Sequence, residues 1–134
     1  MDEHKKTILI VEDDVFILDV LYKKLDAQGY TVLKAGDVES GFAAIKTHKI
    51  DLVILDILLP GGSNGFLFLE NLKQNKELKE IPVVILSNLS EHQDIEKGLH
   101  LGAVDFFVKS NHTPNEVVEK VGQILKDQHA SSSV

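Results

Sequence analysis

Short, continuous apolar runs alternate with segments of helical spacing five times along this chain. The runs are rich in Val, Ile and Leu, and their shortness favours strands that are buried on both faces. Strand and helix units joined by short connections favour right-handed crossovers and therefore a parallel sheet covered by helices on both sides. We predict a three-layer α/β fold with five strands and five helices. The predicted strands are residues 7–11, 31–33 (the weakest), 51–55, 82–86 and 104–108, and the predicted helices are 17–25, 38–45, 66–72, 95–101 and 117–125.

Capping motifs and glycines lie near the ends of several predicted helices, as the alternation of strands and helices requires. Residues 113–116 (TPNE) and 90–93 (SEHQ) each offer a capping box, in which a hydroxyl and a later Glu or Gln satisfy free N–H groups. Gly29 and Gly102 follow helical segments, where a left-handed cap residue is favoured. We therefore expect one globular domain over residues 5–127, followed by a polar tail, 128–134, that frays from about residue 126.

The charge and cysteine content exclude several classes of partner. The 134 residues contain 14 Lys, no Arg and 21 acidic residues, for a formal net charge of −7. Because no basic face is available to neutralise a phosphate backbone, direct binding of nucleic acid is not expected. The absence of Cys excludes disulfides and thiolate metal sites. No apolar run is long enough to span a membrane, so we expect a cytoplasmic protein without a membrane partner.

Acidic side chains follow two of the predicted strands. In an open parallel sheet, ligands bind outside the carboxyl ends of the strands. Glu12, Asp13 and Asp14 follow the first strand, and Asp56 follows the third. Asp14 alone is equally well explained as a helix cap. The whole cluster is better explained by a bound cation that relieves the repulsion, and Mg²⁺ fits best because it needs only one or two carboxylates with waters and a phosphate oxygen.

A hydroxyl and an ammonium group are predicted at the same edge. Ser87 follows the fourth strand, and Lys109 follows the fifth. Taken singly, Lys109 is explained as a counter-ion of the acids, and Ser87 as a turn hydroxyl. Taken together with a metal and carboxylates, they form a site for phosphoryl chemistry, in which an Asp is the nucleophile and the cations offset charge on the transferred oxygens.

Four motifs, in this order, resemble the receiver domain of two-component response regulators. The motifs are residues 8–14 (ILIVEDD), 51–56 (DLVILD) followed by Leu59-Pro60, 82–87 (PVVILS), and Gly102-Ala103 leading to 106–109 (FFVK). The resemblance covers residues 5–127 and implies a flavodoxin-like sheet with strand order 2-1-3-4-5. It also implies that a sensor histidine kinase or a phosphotransfer protein donates a phosphoryl group to Asp56.

The resemblance assigns a role to each site residue. It implies that the carboxylates of Asp13 and Asp56 and the backbone carbonyl of Leu58 are direct Mg²⁺ ligands. Glu12 is expected to bind a water that is a further ligand of the metal. Lys109 is expected to pair with the phosphoryl group. The remaining two roles belong to a switch, in which Ser87 bonds the attached phosphoryl group and Phe106 moves inward. Phosphorylation is thereby reported on the surface made by the fourth helix, the fifth strand and the fifth helix; an ordinary core ring is the alternative for Phe106.

The chain differs from the family pattern in the loop after Asp56 and after Lys109, and it has two apolar residues near the site. The loop from Asp56 to Gly65 is one residue longer than usual, although Asn64 can still cap the next helix. Ser110 stands where the family has a cis Pro, and because a cis bond is costly before other residues, the position of Lys109 is in doubt. Leu58 and Leu89 are apolar at two positions that tune phosphoryl lifetime in the family, so we expect long-lived phospho-Asp56.

Several functions compete on the sequence alone. The leading hypothesis is a signalling switch that catalyses only its own phosphorylation and dephosphorylation, binds an unidentified downstream protein and forms a homodimer when phosphorylated. The alternatives are a docking module that is not phosphorylated, a Mg²⁺-dependent phosphohydrolase, and a nucleotide-binding flavodoxin-like module. The last two are disfavoured because the nucleophile follows the third strand and because no phosphate-binding Gly motif is present. A stand-alone receiver is favoured over part of a longer regulator.

Overall fold

The computed structural model describes residues 5–59 and 64–132, with side chains described as far as residue 127. Strands and helices alternate along the described chain, as the apolar pattern predicts. The strands are β1 (Thr7–Val11), β2 (Thr31–Ala35), β3 (Leu52–Leu55), β4 (Val83–Ser87) and β5 (Asp105–Val108). The helices are α1 (Val15–Ala27), α2 (Val38–Thr47), α3 (Gly65–Gln74), α4 (His92–His100) and α5 (Pro114–Ser132).

The five strands form one parallel sheet in the order β2-β1-β3-β4-β5. This confirms the three-layer α/β fold and the strand order that the family resemblance implies. The strand order reverses between β1 and β3, and Val11 of β1 is in register with Leu55 of β3. The residues that follow these two strands therefore leave the sheet side by side, at the point where open α/β sheets bind ligands.

Both faces of the sheet are buried, because alternate strand residues enter different apolar layers. In β1, Leu9 and Val11 belong to a cluster that includes side chains of α2 and α3. Ile8 and Ile10 belong to a second cluster, formed with side chains of α1 and α5. β2, at one edge of the sheet, is the most exposed strand, since only its last residue is buried, which explains why residues 31–33 give the weakest strand signal.

Most of the predicted helix ends are confirmed. The capping box at residues 113–116 forms, with Thr113 N–H donating to Glu116 Oε1 at 2.7 Å and Glu116 N–H donating to Thr113 Oγ1 at 3.2 Å. Gly29 and Gly102 have φ values of 96° and 114°, in the left-handed region that favours glycine. Asn64 caps α3, since its Oδ1 accepts the Phe66 N–H at 2.7 Å.

Two predictions about helix ends are wrong. The capping box at 90–93 does not form, because α4 begins one residue later than that motif requires: its N-cap is Glu91, which makes no side-chain capping bond. The expected fraying from residue 126 is also wrong as far as Ser132, where α5 ends, and residues 133–134 of that tail lie outside the described residues. Residues 126–132 contain no Gly or Pro, so nothing in the local sequence stops the helix. The domain boundary at residue 127 stays a prediction.

Candidate functional site

Asp56 lies directly after β3 and is buried, with 4% of its surface exposed. Its backbone N–H donates to the Val11 carbonyl at 2.9 Å, which continues the β1–β3 pairing past the end of the strand. One carboxylate oxygen, Oδ1, accepts the Leu58 N–H at 3.1 Å. The other, Oδ2, accepts a hydrogen bond from Lys109 Nζ at 3.0 Å. The carboxylate is thus held by the sheet, by its own turn and by a cation.

Glu12 is the second buried acid of the site, with 2% of its surface exposed. Its Oε1 lies 2.9 Å from Lys109 Nζ, and its Oε2 accepts the Asp14 N–H at 2.9 Å. Burial raises the pKa of Glu12 from 4.5 to about 7. The hydrogen bonds from Lys109 and from the Asp14 N–H act in the opposite direction, and the negative charge of Asp56 adds to the rise in pKa.

Lys109 forms ion pairs with both buried acids of the site, Glu12 and Asp56. Burial disfavours its charged form, but hydrogen bonds with Glu12 and Asp56 outweigh that penalty, so the pKa of Lys109 lies above its usual value. Its backbone N–H donates to the Ser87 carbonyl at 2.8 Å, which extends the β4–β5 pairing. No described peptide bond is cis, so the bond to Ser110 is trans. The doubt about the position of Lys109 is thereby removed.

The donor set fits a hard divalent cation. Glu12, Asp13 and Asp56 each offer a carboxylate oxygen, and these oxygens all lie within 4.8 Å of one another. Asp13 is exposed, whereas the other two acids are buried. Asp14 is a helix cap instead, because its Oδ1 accepts the N–H groups of Phe16 and Ile17. Three acids facing one ammonium leave negative charge for a metal to balance, and an all-oxygen donor set suits Mg²⁺.

The two predicted switch residues lie on neighbouring strands. Ser87 is fully buried at the end of β4, and its Oγ accepts the Leu89 N–H at 3.3 Å. Phe106 is buried on β5, opposite Ile85 of β4. The ring packs closely against α4: a Cβ built on Gly98 would lie 3.1 Å from Phe106 Cδ2. Phe106 therefore lies at the contact between β5 and α4.

Comparison with known proteins agrees with this arrangement. A family model described as the response regulator receiver domain matches residues 8–122. The chain belongs to this family. The match runs from the second residue of β1 into the first half of α5 and includes every predicted site residue.

Receiver domains similar to this one occur in transcriptional regulators. The chain is 33% identical over 121 residues to the phosphate regulon transcriptional regulatory protein PhoB of Escherichia coli. The matched segment is 90% of this chain and 52% of that protein. It is 36% identical to the alkaline phosphatase synthesis transcriptional regulatory protein PhoP of Bacillus subtilis. The matched segment is 90% of this chain and 49% of that protein. The chain thus spans about half the length of the curated relatives that it matches.

A solved structure shows the same receiver fold. The CheY-like response regulator receiver domain protein of Methanospirillum hungatei superimposes with a TM-score of 0.86 at 27% sequence identity, over 96% of this chain and 99% of that one. Within the residues that the structure describes, no helix of this receiver domain has the length and apolar character needed to cross a bilayer.

Four polar residues predicted for the site lie together in the structure, beside a glycine that the residue pattern did not indicate. The structure brings Glu12, Asp13, Asp56 and Lys109 together, and the Leu58 peptide lies beside the Asp56 carboxylate. Gly65, the first residue of α3, also contacts this region, since an added Cβ would lie 2.5 Å from the Asp56 carbonyl oxygen. The Asn-Gly pair at residues 64–65 is the available signal, but on sequence alone a helix cap explains it.

Proposed function

We propose that this receiver domain is a Mg²⁺-dependent switch, in which Asp56 accepts a phosphoryl group from a sensor histidine kinase or a phosphotransfer protein. The observation that carries the proposal is the position of the Asp56 carboxylate, 3.0 Å from Lys109 Nζ and grouped with oxygens of Glu12 and Asp13. An acid that lies against a cation and a metal-ligating set is suited to receive a phosphoryl group.

Asp56 acts as the nucleophile. A carboxylate oxygen forms a bond to phosphorus, the bond between phosphorus and the donor's imidazole nitrogen breaks, and the nitrogen keeps the electron pair. Asp13 and Asp56, with the Leu58 carbonyl, would hold Mg²⁺, and Glu12 would hold one of its waters. When bound, Mg²⁺ offsets the negative charge of the transferred group. Lys109 Nζ is paired with the carboxylates of Glu12 and Asp56. After phosphorylation it would donate one of these hydrogen bonds to a phosphoryl oxygen instead.

The output proposed for this chemistry is conformational. Ser87 Oγ now accepts a backbone N–H, and its proton is available to an oxygen of the phosphoryl group. The Phe106 ring already packs inside, against α4. Phosphorylation would therefore stabilise an arrangement that the chain can already adopt, as expected of a population shift. The surface formed by α4, β5 and α5 would then bind a downstream protein or a second copy of the chain.

The test is intact-mass analysis with Mg²⁺ and acetyl phosphate or a phosphoramidate, beside Asp56→Asn. We expect the wild-type protein to gain one labile phosphoryl group, and the variant to gain none. No gain with any donor would favour a docking module that is not phosphorylated. Turnover of a small phosphomonoester would instead favour a phosphohydrolase and would contradict the proposal that the domain acts only on its own aspartate.

A further inference from the structure

The helix α3 begins in direct contact with the phosphoacceptor backbone. Gly65 is the first residue of α3 and is buried. A Cβ at this position would lie 2.5 Å from the Asp56 carbonyl oxygen and 2.7 Å from Ile57 Cα. Both of these atoms belong to the backbone, so no side-chain rotation can relieve such a contact. Any residue other than glycine must displace either α3 or the turn that carries Asp56.

The same helix start holds the turn through backbone bonds. The Gly65 N–H donates to the Ile57 carbonyl at 2.9 Å, and Leu58 forms an antiparallel bridge with Asn64. Asn64 in turn caps α3 through its side chain. The turn at residues 56–58 is therefore fixed from outside as well as by the Leu58 N–H on Asp56 Oδ1. These bonds join the residues on either side of the longer loop. The turn that carries Asp56 can therefore keep its position although the loop has one residue more than usual.

We propose that Gly65 is a positioning residue for the phosphoryl and metal site. Its missing side chain lets α3 lie directly on the Asp56–Ile57 peptide, and its N–H holds the turn that presents the Asp56 carboxylate and the Leu58 carbonyl. Gly65 has no side chain and contacts the backbone of Asp56 and Ile57, so it would act on the site only through that turn. The inference rests on the proposed function for its phosphorylation readout, whereas its metal-binding readout is independent of phosphorylation.

The first test is Gly65→Ala, with Mg²⁺ titrated into ¹⁵N-labelled protein and amide shifts followed by NMR. We expect Mg²⁺ affinity to fall roughly tenfold or more, as when outer-shell partners of metal ligands are lost. Phosphorylation of Asp56 by acetyl phosphate should slow by about 100-fold, because small misplacements of reacting groups have effects of that size. Leu25→Ala, in the core at the far end of α1, is the matched control: it should lower stability but leave Mg²⁺ affinity unchanged.

A second pair of variants covers the case in which Gly65→Ala does not fold. Asn64→Ala removes the cap of α3 without adding an atom near Asp56, and Asn64→Ser supplies a hydroxyl that can restore the cap. We expect Asn64→Ala to weaken Mg²⁺ binding several-fold by the same route, and Asn64→Ser to recover most of it.

Three results separate the possible errors. A folded Gly65→Ala variant with wild-type Mg²⁺ affinity and phosphorylation rate would overturn the positioning role. If that variant is unfolded, equal Mg²⁺ affinity in Asn64→Ala and wild type would overturn it. Failure of the wild-type protein to become phosphorylated would instead contradict the proposed function, and the Mg²⁺ titrations would still decide the role of Gly65.

Discussion

Burial of Glu12 should make the metal-free protein less stable as the pH rises. In the unfolded chain this carboxyl ionises near its ordinary value of 4.5, whereas its pKa in the folded protein is about 7. Between these values the folded state holds a proton that the unfolded state has lost. The stability that this proton provides is therefore fully present below about pH 4.5 and is lost as the pH rises through about 7.

The size of this effect follows from the change in pKa. A rise from 4.5 to about 7 corresponds to about 3 kcal/mol of unfolding free energy. Glu12→Gln removes the titration and keeps an oxygen that can accept the Lys109 hydrogen bond. We therefore expect the unfolding free energy of Glu12→Gln, relative to wild type, to increase by about 3 kcal/mol between about pH 4 and about pH 8.

The assay is urea unfolding, followed by circular dichroism, in the presence of a chelator. Each pH needs its own wild-type curve, because the comparison between variants isolates residue 12 from the other carboxyl groups. Glu77→Gln, at an exposed position, controls for the loss of one negative charge. A stability difference between Glu12→Gln and wild type that stays constant across this pH range would refute the argument from burial.

Three further predictions concern the switch, the phosphoryl lifetime and the core. Lys109→Ala should leave Asp56 able to gain a phosphoryl group by mass analysis but should abolish the NMR response of the α4–β5–α5 surface; an unchanged response would contradict its role. Leu58→Asn combined with Leu89→Glu should speed the loss of the phosphoryl mass, because polar groups can orient the attacking water, and an unchanged half-life would show that apolar cover is not the cause. Phe68→Ala should lower the unfolding free energy by about 3–5 kcal/mol in urea titrations, because the ring is fully buried; a loss under about 1 kcal/mol would mean that the site collapses around the cavity.

The sheet was predictable from sequence because burial on both faces leaves uninterrupted apolar runs. The runs at 7–11 and 104–108 lie within one residue of the bounds of β1 and β5. The prediction for β2 stops at residue 33 instead of Ala35, because the exposed Lys34 interrupts the apolar run on this edge strand. Helix starts were predictable where the capping groups form their bonds, whereas Gly29 and Gly102 mark two helix ends through their left-handed φ values. The box at 113–116 forms, whereas 90–93 has the same pattern without the bond.

The polar part of the site was predictable for a different reason. Parallel strands deliver the residues that follow them to one edge, so Glu12, Asp56 and Lys109 could be grouped without knowing any distance. The high pKa of Glu12 was not predictable, because it depends on how deeply the carboxylate is buried. Chemistry at strand ends is thus encoded locally, whereas its electrostatics depend on the packing of the whole domain.

Gly65 shows a further kind of information that residue patterns do not carry. A side chain that performs chemistry is visible in the sequence, but the contact here is between the start of α3 and the backbone of Asp56 and Ile57. Asn-Gly is also the usual signature of a turn or a helix start, so the pair has an adequate local explanation that conceals the tertiary one. Two observations distinguish a glycine required by its own conformation from one required by a neighbour: its φ value, and the distance from an added Cβ to the Asp56 carbonyl oxygen. Because Gly65 has no φ in the left-handed region, its own conformation does not require glycine, and the close approach to Asp56 is the reason that remains.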